Sequence, residues 1–464
     1  MKKKILVVLP SPLMARNFLR SDALQLLTEC GDNEVLVVSP NPDDRAVAEK
    51  AGAEWLPYYH PRRTRTGKGV VADLVRWARY ARYLCGLAIH MSLTHRFNRI
   101  SAFRGFAGRL KQSWSLRRIY LREGLPMSSL FGIPLARSEF LYKLLRRIYY
   151  SRWQNFGPVD RLLEGFRPNL VILSMIQTHM VTPYALAAHR MNVPLLGMSG
   201  SWDQPTTKGP VVPMLSRVVV QNAIVREELV RYHGIPEERV HLIGWLQMDA
   251  YARTRENESA SQLRRFNLRP GTRYILFAAN APRLGSHEPG IVRELAAANE
   301  AGAFGNGVVV LCRCHPQDTA WQSRWGWASE LPGVVVQPPD LGPLEHLTAV
   351  ISQASVVLAS AGSINLDAIA LDVPTIGIAW EDETLPYYDR PARAYDLEHL
   401  ADLLSSEGMA FARDMPSLIN ACQRYLADKT LDALGRATLR QRYLYRLDGG
   451  AARRLHDNVK EMLS

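Results

Sequence analysis

The chain lacks any run of about 18 apolar residues, so no segment reads as a membrane-spanning helix. The nearest stretch, Tyr83–Ser92, is too short and follows three arginines. Cysteine is scarce: Cys30, Cys85, Cys312, Cys314 and Cys422 are odd in number and scattered. That argues against a disulfide framework and for a reducing compartment. Cys312 and Cys314 have no second ligand pair nearby, so they read as buried thiols rather than a metal site. The apolar core of the start, MKKKILVVLP, is only about six residues long and no small-residue cleavage site follows. It reads as a first strand behind a lysine tail. No GxxxxGK[ST] loop, GxGxxG after the first strand, HExxH or GxSxG is present. P-loop ATPase, dehydrogenase, zinc-protease and α/β-hydrolase chemistry lose their signatures with them.

Acidic residues are nearly missing from one region. From Arg62 to Arg152 there are 20 Lys/Arg and three acids, Asp73, Glu123 and Glu139. That segment therefore carries +17 of a net +13, and the remainder carries −4. Residues 70–92 plot as an amphipathic helix. Arg76, Arg79 and Arg82 fall on one side with Tyr80 and Tyr83, and Leu74, Trp77, Ala81 and Leu84 fall opposite. Such a face suits an anionic bilayer surface. A solvated face of a docked helix and a nucleic-acid surface are the other readings, and no nucleic-acid recognition module is legible.

What is present in quantity is alternation. Length sets an expectation of two domains. In the first half, strands at Ile5–Leu9, Glu34–Ser39, Ala53–Pro57, Asn169–Ser174, Pro194–Met198, Val218–Val220 and Val240–Ile243 alternate with helices at Met14–Cys30, Val159–Phe166, Val181–Met191 and Ala223–His233. Residues 247–271 are polar and read as a linker. A second series runs through strands Tyr274–Ala278, Val308–Arg313, Val334–Val336, Val356–Leu358 and Thr375–Ile378, with helices between and after them. Repeated βα units predict parallel, doubly wound sheets, whose ligands bind outside the carboxyl ends of the strands.

Candidate site residues sit at those ends. The stretch ASAGSINLDAIALDVPTIGI (359–378) reads as a small-residue turn, a helix and a buried strand. Ser360, Gly362 and Ser363 form a turn suited to phosphate, and Asp367, about one turn on, is placed for a ribose hydroxyl. Arg313 and His315 end the strand GVVVLC, where His315 can donate to a phosphate or a leaving-group oxygen. Asn280, Arg283 and His287 follow the first strand of the second half. In SWDQPTTKG (201–209), Trp202 and Lys208 read as acceptor or phosphate contacts and Asp203 as a general base toward an acceptor hydroxyl. Arg16 and Asn17 follow the first strand. Glu381, in the acidic run after PTIGIAW, reads as a sugar-hydroxyl contact. No carboxylate cluster suited to Mg²⁺ is evident. Metal-independent chemistry is therefore expected, with helix dipoles and basic side chains neutralising a diphosphate.

A strand followed by His315-Pro316, and later a strand followed by a serine turn, resembles the HP…S pattern of two-domain bacterial nucleotide-sugar transferases. These include capsule sialyl- and Kdo-transferases and the CDP-glycerol glycerophosphotransferases. SAGSINLDAIALDVPTI is similar to the GT-B donor signature, SWDQPTTKG resembles a SWDN-T-KG run of surface-carbohydrate transferase-like sequences, and LDGGAARRLHDNVKEML resembles the final helix that crosses back in that superfamily. The resemblance implies an α/β architecture of two Rossmann-like domains facing across a cleft (GT-B), with a basic helical insertion in the first domain. Its expected boundaries are 1–246 on the acceptor side (insertion about 60–155), linker 247–271, donor domain 272–433 and returning helix 434–464. The implied activity is glycosyl transfer from a nucleotide-sugar donor to a capsule, lipopolysaccharide or lipid-linked glycan acceptor. It would take place in the cytoplasm at the inner membrane face, on anionic lipid, without a cofactor or nucleic acid. CDP-polyol phosphotransfer, sugar-nucleotide 2-epimerisation and a non-enzymatic membrane-binding role are the alternatives.

Overall fold

The valine-, isoleucine- and leucine-rich runs become the middle strands of two parallel sheets, buried on both faces as such runs require. This computed structural model describes the chain except residues 1, 30, 60–69, 98–99, 101–102, 123–129, 131, 155, 254–260, 262, 267, 270, 283 and 381. Within helices, the side chains of 70–77, 79, 80, 120, 122, 401 and 402 are also not described. The chain divides into one unit of Met1–Ile243 with Ala452–Ser464 and a second of Gly244–Ala451.

In the first unit, β1 (Lys3–Val8), β2 (Asn33–Ser39), β3 (Glu54–Pro57), β4 (Leu170–Leu173), β5 (Leu195–Met198), β6 (Arg217–Val220) and β7 (Val240–Leu242) lie in the order β3-β2-β1-β4-β5-β6-β7. Each neighbouring pair is parallel, with Ile5 opposite both Val35 and Leu170. The helix expected at Met14–Cys30 is split into α1 (Pro12–Leu19) and a short helix Ala23–Thr28. At the break the Ser21 hydroxyl donates to the Phe18 carbonyl at 2.9 Å and accepts the Ala23 N–H at 3.4 Å. The C-terminal helix Ala451–Leu463 returns to this unit, where Glu461 pairs with Arg217 and Arg454 donates to the Ile243 carbonyl.

In the second unit, β8 (Tyr274–Ala278), β9 (Val309–Arg313), β10 (Val334–Gln337), β11 (Val356–Ala359), β12 (Thr375–Ile378) and β13 (Ala410–Ala412) lie in the order β10-β9-β8-β11-β12-β13, all parallel. Strand alternation sends Ile275, Phe277, Val310 and Cys312 to one core and Tyr274, Leu276 and Leu311 to the other. Cys312 and Cys314 belong to the first of these cores as free thiols, and burial pushes Cys314 up to about 12. Both sheets reverse their direction of winding after the third strand, and the returning strand pairs with the first, so each has a switch point: β1/β4 in one, β8/β11 in the other.

Between β3 and β4 the basic segment forms α2 (Val70–Phe97), α3 (Gly105–Arg122), α4 (Gly132–Leu135) and α5 (Glu139–Trp153). Of these, α2 and α5 pack through Tyr83, Leu93, Phe97, Tyr142, Tyr149 and Trp153. Several of its arginines are structural. Arg82 donates to the carbonyls of Ser151, Arg152 and Gln154, the unsatisfied C-terminal end of α5. Arg96 donates to the carbonyls of Ala136 and Arg137, pairs with Glu139 and lies 4.3 Å over the Tyr142 ring. In the described part of α2 the expected bilayer face is engaged otherwise: Arg82 caps the end of α5, and Leu84 packs against the core of the insertion. The side chains of Leu74, Arg76, Trp77, Arg79 and Tyr80 lie outside the described residues. Among the described residues no helix is long and apolar enough to cross a membrane.

Replacing Arg82 by Met keeps the stem but leaves three helix-end carbonyls without their cationic donor. The expected cost is on the order of 1–2 kcal/mol, read as a lower thermal midpoint; an unchanged midpoint would remove Arg82 from the structural account.

Candidate functional site

At the switch point of the second sheet, three loops are joined by buried charge. Glu288 opens the helix α7 (Glu288–Glu300, numbered after α6, Gln204–Thr207) and is fully buried. Its Oε2 accepts the Asn280 N–H at 2.8 Å and Arg324 Nη2 at 3.3 Å, and its Oε1 accepts the Ser360 hydroxyl at 2.8 Å. Arg324 Nη1 donates to the Asn280 carbonyl and to Asp318 Oδ2, each at 2.9 Å, and Nη2 donates to the Gly285 carbonyl. Asp318 is buried, and its N–H reaches the His315 carbonyl at 2.9 Å. The loops after β8, β9 and β11 are thereby tied to one guanidinium. Burial raises the Glu288 carboxyl to about 7, against the opposing pull of the Asn280 and Ser360 bonds and of Arg324. The half-buried His287 beside it is held to about 4 by burial and then by Arg324. Gly285 is required here: a Cβ would collide with Glu288 Oε2 and lie 2.8 Å from Arg324 Nη2, both fixed by the network.

Around this cluster stand the residues expected from the sequence. Ser360 is buried with its hydroxyl on Glu288. Ser363 is exposed at the start of α8 (Ile364–Ala370) and makes no capping bond through its side chain. A Cβ at Gly362 would meet only the Ser360 carbonyl oxygen, at 3.8 Å, so a glycine there is not forced by close approach. The turn is held instead by buried Asn365, whose Nδ2 donates to the carbonyls of Ser360 and Gly362 and whose Oδ1 accepts from Thr375. Asp367 is buried and accepts the Tyr251 hydroxyl at 2.8 Å. Arg313 is buried at the end of β9. His315 is half-buried, and its Nδ1 accepts the Gln317 N–H at 3.1 Å, which places the proton of the neutral ring on Nε2. The Asn280 side chain accepts from the Ala281 N–H. Arg283 and Glu381 lie outside the described residues.

The first unit has a comparable rim. Gly200 sits where the loops after β1, β4 and β5 meet: a Cβ would lie 2.8 Å from Met175, 2.8 Å from Gln204 Nε2 and 2.9 Å from Met14. Gln204 Oε1 accepts the Gly200 N–H, and its carbonyl accepts Gln177 Nε2. Trp202 is buried and Lys208 exposed. Asp203 precedes α6, and its Oδ2 accepts the Thr207 hydroxyl at 2.9 Å. Arg16, in α1, is buried and donates to Asn17 Oδ1 at 3.0 and 3.2 Å. Glu288, Arg324, Asp318 and Asn365 were not singled out from the sequence. The one local hint was the Gly and charged residues of NAPRLGSHE, since the side-chain partners of Glu288 are 36 and 72 positions away.

No protein-family model matches the sequence, and no curated protein matches it. Solved structures do. A UDP-GlcNAc 2-epimerase from Neisseria meningitidis, bound to UDP-GlcNAc, is 11% identical with a TM-score of 0.56, over 99% of this chain and 100% of that one. A glycosyltransferase from Rickettsia africae is 10% identical with a TM-score of 0.52, over 100% and 99%. Anabaena HepE, in complex with UDP and glucose, is 10% identical with a TM-score of 0.51, over 99% and 99%. The chain has the GT-B fold of two Rossmann-like domains. At such identities the likeness is one of architecture, and the capsule sialyl- and Kdo-transferases are not among these three neighbours.

The raised Glu288 pKa sets a pH dependence for stability. The native state keeps this proton up to about pH 7, whereas the unfolded chain releases it near 4.5. Its contribution is therefore full below about pH 4.5 and lost as pH rises through 7. Glu288→Gln preserves the hydrogen bonds if its Nε2 faces Ser360. Between pH 5 and 8 the wild-type midpoint should fall relative to that of the Gln variant, and parallel melting curves across this range would show that Glu288 does not titrate there.

Proposed function

We propose that this protein is a glycosyltransferase that moves a sugar from a nucleotide-activated donor to a surface-polysaccharide or lipid-linked glycan acceptor. The observation that carries the reading is the welded rim at the β8/β11 switch point, the position at which doubly wound sheets bind nucleotides. Two fold neighbours solved with a uridine nucleotide bound support a nucleotide-sugar substrate, and one neighbour that is named a glycosyltransferase supports transfer. In this reading the second unit holds the donor. His315, through Nε2–H, and Ser363 contact the diphosphate, with Arg313 and Asn280 nearby and Asp367 toward the ribose. The first unit serves the acceptor: Trp202, Lys208, Arg16 and Asn17 hold it, and Asp203 takes the proton of its hydroxyl. The acceptor oxygen bonds to the anomeric carbon, the bond from that carbon to the phosphate oxygen breaks, and the nucleoside diphosphate leaves with its charge stabilised by His315.

The helical insertion favours transfer over the second reading, 2-epimerisation, because an acceptor needs a surface and an epimerase needs none. The Neisseria neighbour favours the epimerase. Incubation with UDP-GlcNAc alone separates them: conversion to the 2-epimer without acceptor establishes epimerisation. Sugar transfer only on adding a glycan acceptor establishes the transferase, and transfer of a polyol phosphate from a CDP donor establishes the phosphotransferase. Among the described residues no three His, Cys, Asp or Glu side chains converge as metal ligands. Turnover is accordingly expected to survive EDTA, and loss reversed only by Mg²⁺ or Mn²⁺ would contradict this.

Nucleotide binding is the first measurement. A nucleotide at 100 times its dissociation constant stabilises by about 2.7 kcal/mol, a midpoint shift of roughly 2–4 °C per kcal/mol. His315→Ala should weaken that binding by about 1–3 kcal/mol with an unchanged midpoint in the free protein. Equal affinity in calorimetry would take His315 out of the donor site.

A further inference from the structure

Among the described residues of the insertion, α3 exposes four large apolar side chains, against two, Phe140 and Leu144, on α5. On α3 the inward side is set by Gln112, Ser113, Leu116 and Ile119, all buried, with Gln112 Nε2 3.2 Å from His95 Nδ1 of α2. Phe106, Leu110, Trp114 and Leu121 are 62, 47, 66 and 62% exposed. At 100° per residue these four fall within an arc of about 80°. Beside that arc, turned away from the buried side, lie exposed Lys111 and Arg118. Arg117 falls inside it with its guanidinium 4.4 Å over the Trp114 ring. The helix, GFAGRLKQSWSLRRIYLR, contains no Asp or Glu. An apolar strip with Trp and Phe beside a purely cationic strip is the pattern of a helix lying in a lipid interface.

We infer that α3 is the lipid-docking element of this protein: it lies flat on an anionic bilayer surface, with Phe106, Leu110, Trp114 and Leu121 among the acyl chains and Lys111 and Arg118 on the lipid phosphates. Charge decides the occupant. A second copy of the chain docked face to face would bring the same cations together, with no acid on either helix to offset them. An anionic surface complements both strips at once. The inference moves the membrane contact from α2, whose Arg82 is committed to the end of α5, to α3. It extends the reading of a lipid-linked acceptor but does not depend on it, because vesicle binding is measured with neither donor nor acceptor present.

The test is sedimentation of the full chain with vesicles of phosphatidylcholine alone or with about one-third phosphatidylglycerol, at an ionic strength low enough for a Debye length above about 10 Å. The wild type should partition at least tenfold more strongly onto the anionic vesicles. Phe106→Glu with Trp114→Glu should lower that partition tenfold or more, and Lys111→Glu with Arg118→Glu should do the same and flatten the salt dependence. Thermal midpoint and nucleotide binding should be unchanged in both, since these side chains point away from the core. Absence of anionic-vesicle binding by the wild type overturns the inference, as does full retention of binding by the Phe106/Trp114 variant. Sedimentation equilibrium tests the other occupant: a wild-type dimer that the Phe106/Trp114 variant dissociates would overturn the inference too and assign the face to a second copy.

Discussion

The buried ion cluster of Glu288, Arg324 and Asp318 is the constraint on which the second unit's functional edge depends. A parallel sheet fixes where strands end but leaves the loops beyond them free. Here one guanidinium bonds to the loop after β8 through the carbonyls of Asn280 and Gly285 and to the loop after β9 through Asp318. The loop after β11 joins through Ser360 and Glu288. Removing one member of such a set strands the rest in a low dielectric, which is why buried clusters of this kind act as a unit. A rim assembled in this way is preorganised, so a ligand bound there need not order three loops.

The first unit solves the same problem with other chemistry. Its rim is close-packed around Gly200, with amide bonds from Gln204 and Gln177 rather than buried ions. Its excess positive charge lies in the helical insertion and is partly internal: Arg82 and Arg96 saturate carbonyls where one helix ends or the next begins. A guanidinium offers five donors in a fixed fork, against the three rotatable donors of a lysine ammonium, so it can serve several carbonyls with its geometry already set. A segment can therefore be strongly basic and still owe part of that charge to folding.

The alternation of strand and helix was legible because it rests on local periodicity. Runs such as YILFA and VVLA show their double burial directly in sequence. The strand-end positions of His315, Ser360 and Ser363 followed from that alternation. The break between Leu19 and Ala23 was not legible, since the apolar pattern runs on through both helices. Glu288 and Arg324 were not legible for a different reason. Each reads as a solvated charge in its own segment, and only the fold brings them within 3.3 Å. Arg82 was misread because helical periodicity gives its side of the helix and says nothing of what lies opposite.

Ser360 joins the two kinds of information. The sequence placed it against a phosphate, and the structure has its hydroxyl donating to Glu288 Oε1 at 2.8 Å. A serine hydroxyl has one proton, so while Glu288 is ionised that proton is not available to a phosphate oxygen. When Glu288 is protonated the roles reverse: the carboxyl proton can point to Ser360 Oγ, and the hydroxyl proton turns away from Glu288. The carboxyl changes state near pH 7 because burial raises it that far. An anionic ligand at the rim adds negative charge next to Glu288 and favours its protonated form further. In the proposed donor reading, an anion bound at this edge would be coupled, through the Ser360 hydroxyl, to the uptake of a proton by Glu288.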